Sequence, residues 1–220
     1  MLATPPPRWL WQIARWGLVA SSVALLGLTA ALAQGLTDPP RAGPLLWGDD
    51  FTAGTARWTL YGQGGQLEFV ENALYVKFEQ PATDQWRAAL TEQPATQFTL
   101  EMVAAQPQGE IGIAYGLVFG WQDETHYQAV LINGNGYATA YTQAGTERRE
   151  WYAWQQWPHI LFGTEPNRVR IDVRGQQVIA RVNDEWLAET DAATAGQVGL
   201  LAYGYTAGQV VFGWVQAWGR

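Results

Sequence analysis

The chain has 220 residues, 48% of them hydrophobic, with 13 Trp, 2 His and no Cys. That is enough for one β domain of ordinary size with an N-terminal extension, and it excludes a disulfide scaffold and cysteine-based metal centres. From Gln34 onward 11 basic residues stand against 20 acidic ones, a balance of −9, which excludes a nucleic-acid partner because phosphates call for a basic surface.

Arg8 and Arg15 precede the run Trp16–Ala33, 18 residues without a charge. About 20 apolar residues cross a bilayer core. No basic residue lies in Gln34–Pro40, so the positive-inside rule puts the N-terminus in the cytoplasm and the remainder outside. Trp9, Trp11 and Trp16, with Arg8 and Arg15, fall where a membrane-interface belt would lie. Two readings fit. Residues 1–15 are a cytoplasmic segment and 16–33 an uncleaved transmembrane anchor, or 16–33 is a signal-peptide core cut after Ala33 at Ala31-Leu32-Ala33. The second reading makes the domain a secreted one. Gly17, Ala20, Ser21, Ala24 and Gly27 would let an intact helix pack closely on membrane-protein partners. Residues 34–44 carry Pro39, Pro40 and Pro44 and read as an extended linker.

Residues 45–220 show strand periodicity and no convincing amphipathic helix. Strands are predicted at Leu45–Phe51, Trp58–Tyr61, Gln66–Val70, Ala73–Glu79, Trp86–Thr91 and Gln97–Ala105. In Ala73–Glu79, Leu74, Val76 and Phe78 alternate with Tyr75 and Lys77. The centre is Gly112–Asn133, two strands joined by the acidic turn Gln122-Asp123-Glu124-Thr125. Alternation places Tyr115, Leu117, Phe119 and Trp121 on one face and Gly116, Val118 and Gly120 on the other. Ala129–Ile132 is apolar on both faces, as in a fully buried strand. Asn133-Gly134-Asn135-Gly136 is a hairpin turn, since both residue types tolerate positive φ. The return strand Tyr137–Gln143 puts Tyr137, Thr139 and Tyr141 on one face. Asn167–Arg174 alternates, turning Val169, Ile171 and Val173 inward and Arg168, Arg170, Asp172 and Arg174 outward. Val178–Val182, Trp186–Ala188, Gly196–Tyr205 and Gln209–Trp218 complete an all-β, two-sheet antiparallel sandwich.

The order Asp49-Asp50-Phe51…Trp58, then Tyr115-Gly116-Leu117-Val118-Phe119…Asp123…Tyr127, resembles the concanavalin A-like lectin/glucanase sandwiches. So does Asn167-Arg168-Val169-Arg170-Ile171…Val182-Asn183-Asp184…Leu187, followed by Gly196-Gln197-Val198-Gly199-Leu200. Within them it is most similar to the bacterial laminin-G-like or "domain of unknown function 1080" branch. The resemblance implies a jelly roll with one concave sheet. That superfamily holds lectins, glycan-binding modules, glycoside hydrolases and adhesion modules, so fold does not carry function across.

Glycoside hydrolysis needs two carboxylates about 5–10 Å apart across the scissile bond. The Glu-x-Asp-x-Glu strand of the sandwich glucanases that this fold resembles is absent, so no catalytic residue is expected. His126 and His159 form no His/Cys cluster, and no metal centre is expected. Calcium is conceivable at Asp49-Asp50 or Asp123-Glu124, since hard cations take oxygen ligands, but solvated turn acids fit those pairs better. Trp151-Tyr152-Ala153-Trp154-Gln155-Gln156-Trp157 places Trp at intervals of three and reads as an exposed loop or one helical turn between strands. Flat aromatic rings stack on the C–H faces of sugars. Trp121, Tyr127, Tyr137, Tyr141, Trp151, Trp154 and Trp157 are therefore the candidate ligand contacts, against the simpler reading of loop and core packing. Gly116 and Gly120 leave room for a ligand on this reading. The adjoining Arg148-Arg149 reads as an exposed strand face or a contact to lipid phosphates.

The expected function is a non-enzymatic, extracytoplasmic, membrane-anchored lectin-like sandwich that binds a glycan or cell-envelope polymer. The alternatives are an accessory subunit capping a membrane complex and a sugar-processing hydrolase.

Overall fold

The computed structural model describes residues 15–27, 29, 43–79, 85–92, 96–109 and 112–219. They belong to two bodies, one within Met1–Pro40 and one from Arg41 onward. In the first, residues 15–27 are helical and expose Trp16, Leu18, Val23, Leu25 and Leu26. Ser22 Oγ donates to the Leu18 carbonyl at 2.9 Å, one turn back. Arg15 and Trp16 lie in this helix. Among the described residues no helix is long and apolar enough to cross a membrane. Arg8, Trp9, Trp11, residues 28 and 30–33 of the apolar run and residues 34–42 of the linker lie outside the described residues.

The second body holds 15 strands among its described residues, with one 3₁₀ turn, Gly54–Arg57, after the first. They are β1 (Leu45–Asp49), β2 (Thr59–Gln63), β3 (Gln66–Val70), β4 (Ala73–Phe78), β5 (Gln85–Thr91), β6 (Gln97–Gly109), β7 (Ala114–Asp123) and β8 (His126–Ile132). The rest are β9 (Tyr137–Ala144), β10 (Glu147–Gln156), β11 (Asn167–Arg174), β12 (Gln177–Val182), β13 (Glu185–Thr190), β14 (Gln197–Gly204) and β15 (Gly208–Gly219). They form an eight-stranded sheet, β13-β12-β11-β6-β15-β4-β3 with β1 also on β15, and a seven-stranded sheet, β10-β9-β8-β7-β14-β5-β2. Every pairing is antiparallel.

The alternating residues build the core between the sheets. Leu74, Val76, Phe78, Phe98, Leu100, Met102, Val169, Ile171, Val173, Phe212 and Val215 come from one sheet. Tyr115, Leu117, Phe119, Val130, Ile132, Val198 and Leu200 come from the other, and all are buried in one cluster. Burial pushes the Tyr115 hydroxyl up to about 12, against a smaller opposing pull from the Asn167 side chain. Among the Trp residues of the strands and turns, Trp58 and Trp218 are buried, Trp86 and Trp214 half-buried, and Trp186 is 50% exposed.

Two expectations for the central strand are corrected. The register slips between Phe119 and Asp123, where Gly120 takes φ +58°. This bulge turns Trp121 away from Tyr115, Leu117 and Phe119 to the outer face, where it packs with Val118. Nor do the glycines leave room for a ligand. A Cβ on Gly116 would stand 2.1 Å from the Val130 carbonyl oxygen, and one on Gly120 2.0 Å from Thr194 Oγ1. Gly116 is there because the neighbouring strand comes too close for a side chain. Gly116→Ala should therefore destabilise the sandwich at the upper end of the ~1–3 kcal/mol of overpacking substitutions. Thermal unfolding measures it, and an unchanged midpoint would contradict the close approach.

The outer face of the eight-stranded sheet carries charge. Arg170 and Asp172, expected to point outward, do so yet are only 1% and 2% exposed. Asp172 Oδ1 accepts from Arg170 Nε and Nη2, both at 3.0 Å, and from Thr99 Oγ1 at 2.6 Å. Arg168 reaches Glu101 at 3.2 Å and Asp184 at 2.6 Å.

Candidate functional site: an aromatic groove on the seven-stranded sheet

The seven-stranded sheet has a second apolar cluster, on its outer face. Ala88, Leu90, Val118, Ala129, Leu131 and Leu201 form its floor, and Tyr61, Trp86, Trp121, Tyr127, Tyr141 and Tyr203 stand on it. A sheet face turned to solvent is ordinarily polar. Here aromatic rings cover it in a connected series. Trp121 stacks on Tyr127 at 5.0 Å between centroids and 25° between planes. Tyr61 and Trp86 flank Trp121 at 6.0 and 5.9 Å. Tyr127 meets Tyr141 edge-on at 5.9 Å, their hydroxyls 3.5 Å apart. The Tyr203 and Tyr205 hydroxyls are hydrogen-bonded to each other.

Two adjoining cavities open along this face. One, of about 190 Å³, is lined by Trp86, Trp121, Tyr127, Tyr141 and Tyr203, with Glu124 and Thr125 of the β7–β8 turn. The other, of about 450 Å³, is lined by Asn133, Thr139, Tyr141, Glu150, Trp154, Tyr203 and Tyr205. Tyr141, Arg148 and Tyr203 border both, so the two are one groove across the strands. Trp154 stands at its edge, 42% exposed, and stacks on Tyr137 at 6.2 Å and 21°. Burial holds the Tyr141 hydroxyl well above the ordinary tyrosine range, so it meets a ligand as a neutral donor and acceptor.

The structure thus brings Trp121, Tyr127, Tyr137, Tyr141 and Trp154 together and sends two expected contacts elsewhere. The Trp151–Trp157 segment is not a loop or helical turn. Most of it is β10, the edge strand paired with β9. Trp151 packs inward, edge-on to Phe119 at 6.2 Å, and Trp157 lies edge-on to Tyr152 at 6.0 Å. Both sit against the main core. Register shifts between Glu150 and Tyr152 and between Tyr152 and Gln155 leave Trp154 on the groove side. Trp86 and Tyr203 escaped the sequence reading as groove residues, although they are directly paired across β5 and β14. Their signal was the alternation of Gly196–Tyr205, which sets Leu201 and Tyr203 against Val198, Leu200 and Ala202.

The acidic turns are occupied by the chain itself. Asp49 accepts from the Phe51 N–H at 2.7 Å and from Trp58 Nε1 at 2.8 Å. Asp50 Oδ1 accepts from the Thr52 hydroxyl and N–H. Asp123 Oδ1 accepts from the Thr125 hydroxyl and N–H, both at 2.7 Å. These bonds hold its carboxyl down to about 2, helped by His126. Among the described residues no group of three His, Cys, Asp or Glu is placed to hold a metal ion.

No family model and no curated protein sequence matches this chain. Solved structures do. The carbohydrate-binding module CBM66 from Bacillus subtilis is 12% identical, with a TM-score of 0.55 over 71% of this chain and 93% of the module. The GH43 protein BlXynB from Bacillus licheniformis is 11% identical, with a TM-score of 0.61 over 79% of this chain and 39% of that one. A GlcNAcα1-4Gal-releasing endo-β-galactosidase from Clostridium perfringens is 11% identical, with a TM-score of 0.58 over 82% and 64%. The chain thus spans nearly all of the binding module but well under half of the GH43 protein. At these identities the likeness shows the fold alone: two antiparallel sheets packed as a sandwich.

Proposed function

We propose that this protein is a non-enzymatic, lectin-like sandwich that binds a glycan or cell-envelope polymer in the aromatic groove of its seven-stranded sheet. The observation that carries the reading is the connected row of rings on a face that solvent would otherwise make polar. Sugar rings present C–H faces to aromatic planes and hydroxyls to the polar rim. Trp154, Tyr203 and Tyr127 supply planes. Tyr205 and Glu150 supply the rim, and the buried Asn133 and Thr139 also line the groove. The fold shared with a carbohydrate-binding module agrees with this use. So does the resemblance to the laminin-G-like branch, which belongs to the same proposal. The proposal includes a tether: the segment 16–33 holds the domain outside the cytoplasm as an anchor, or exports it as a signal. It invokes no cofactor.

One observation favours a second reading. Glu124 and Glu150 line adjoining parts of the groove, and a glycoside hydrolase needs two carboxylates about 5–10 Å apart across the scissile bond. They come from a turn and an edge strand, not from one strand as in the glucanases that this fold resembles. Incubating the full chain with a panel of oligosaccharides should give binding without products. Glu124→Gln and Glu150→Gln should then leave product formation at the blank level. Turnover that both substitutions abolish would make the protein a hydrolase instead.

A further inference from the structure

We propose that Arg148 makes the groove selective for a largely neutral glycan that carries an isolated uronic acid, its carboxylate seated on the guanidinium. This rests on the glycan-binding reading above and names its ligand class. Among the described residues lining the two cavities, Arg148 is the one cation, and it borders both. Its guanidinium carbon lies 4.1 Å from the centroid of the Tyr141 ring. Its Nε donates to Gln143 Oε1 at 3.2 Å. Gln143 is in turn fixed by its own Nε2, which donates to the Gly145 carbonyl at 2.9 Å. The ring fixes the plane of the fork and the glutamine fixes its rotation. Arg148 makes no ion pair among the described residues, so its two Nη groups remain for a ligand.

A guanidinium held flat in this way matches a carboxylate with two parallel N–H···O bonds. A neutral sugar offers the fork only single hydroxyls. The surroundings limit how many charges the ligand carries. Glu124 and Glu150 share the groove, and the chain from Gln34 onward is −9. A continuous polyanion would set its further carboxylates against them, within the ~8 Å over which charge is felt at physiological salt. One carboxylate on a neutral backbone meets the cation and avoids the acids, while the backbone lies on the rings.

The test uses the full chain on matched oligosaccharide pairs, each with glucuronic or galacturonic acid at one position and its carboxyl-reduced counterpart. The wild-type protein should prefer the acidic member by at least about tenfold, the scale of a charge-assisted pair. Arg148→Gln should erase the preference, weakening the acidic member by at least about tenfold more than the reduced one, and added salt should narrow it only in the wild type. Equal binding of both members, or a preference that survives Arg148→Gln, overturns the proposal and leaves glycan binding standing. Tighter binding of densely charged polyuronates than of singly charged members also overturns it. Binding to no member of any pair overturns both.

Discussion

Asp172→Ala should lower the stability of the sandwich by about 3–5 kcal/mol, the cost of removing one partner from a buried ion pair. Asp172 is 2% exposed and its Oδ1 alone receives three donors, two from Arg170 and one from Thr99. Its Oδ2 lies 3.7 Å from Arg181 Nε. Without the carboxylate, the Arg170 guanidinium, 1% exposed, keeps its charge and loses this partner. For a domain of this size the loss corresponds to a fall in melting temperature on the order of 10 °C. The double variant Arg170→Met with Asp172→Leu should lose much less, because a packed apolar pair replaces the ions without leaving a charge behind. A melting temperature for Asp172→Ala within 2 °C of wild type would contradict the account of this face. Glycan binding should be unaffected wherever the variant is folded, since the network and the groove lie on different sheets.

Trp154→Ala should weaken glycan binding by roughly thirtyfold or more, about 2 kcal/mol, as for truncation of an aromatic hot spot. The ring is 42% exposed and is backed by Tyr137, so one face is supported and the other remains for a sugar. Its removal opens no core cavity, and the melting temperature should stay near wild type. Trp151→Ala is the contrasting control. Trp151 packs on Phe119 in the main cluster, so its loss should cost about 3–5 kcal/mol of stability, with little direct effect on the ligand. Isothermal titration together with thermal melts separates the two. Equal affinity for Trp154→Ala and wild type would remove Trp154 from the site.

These two neighbours on one strand show where the sequence was legible and where it was not. Trp at intervals of three suggests a helical turn or loop. In a strand that odd interval by itself sets Trp151 and Trp154 on opposite faces, while the bulges between Glu150 and Gln155 shift the register against β9. A bulge is a local choice of backbone that period-two reading cannot place. The same device at Gly120 moves Trp121 out of the core and onto the groove. Where no bulge intervenes, alternation sufficed. Val169, Ile171 and Val173 face inward as read, and the Asn133–Gly136 turn closes with Asn133 Oδ1 accepting from the N–H groups of Asn135 and Tyr137. The groove itself was only partly visible, because it is a product of strand order. Trp86 and Tyr203 are far apart in the chain and meet only through the pairing of β5 with β14. Nor does an outward-facing charge announce its burial. Arg170 and Asp172 follow the polar half of an alternating strand, yet i, i+2 spacing sets them side by side on one face, where they pair.

The most direct test of glycan seating in the aromatic groove is hydroxyl-radical footprinting of the full chain with and without its best-bound oligosaccharide. Protection is expected at Trp154, Tyr203, Tyr205 and Tyr127, along the groove, with Trp186 and Phe162 unchanged. Both of those are well exposed and lie outside the groove lining, at 50% and 62%. Protection at Trp186 or Phe162 with the groove rings still reactive would place the ligand elsewhere and contradict the assignment.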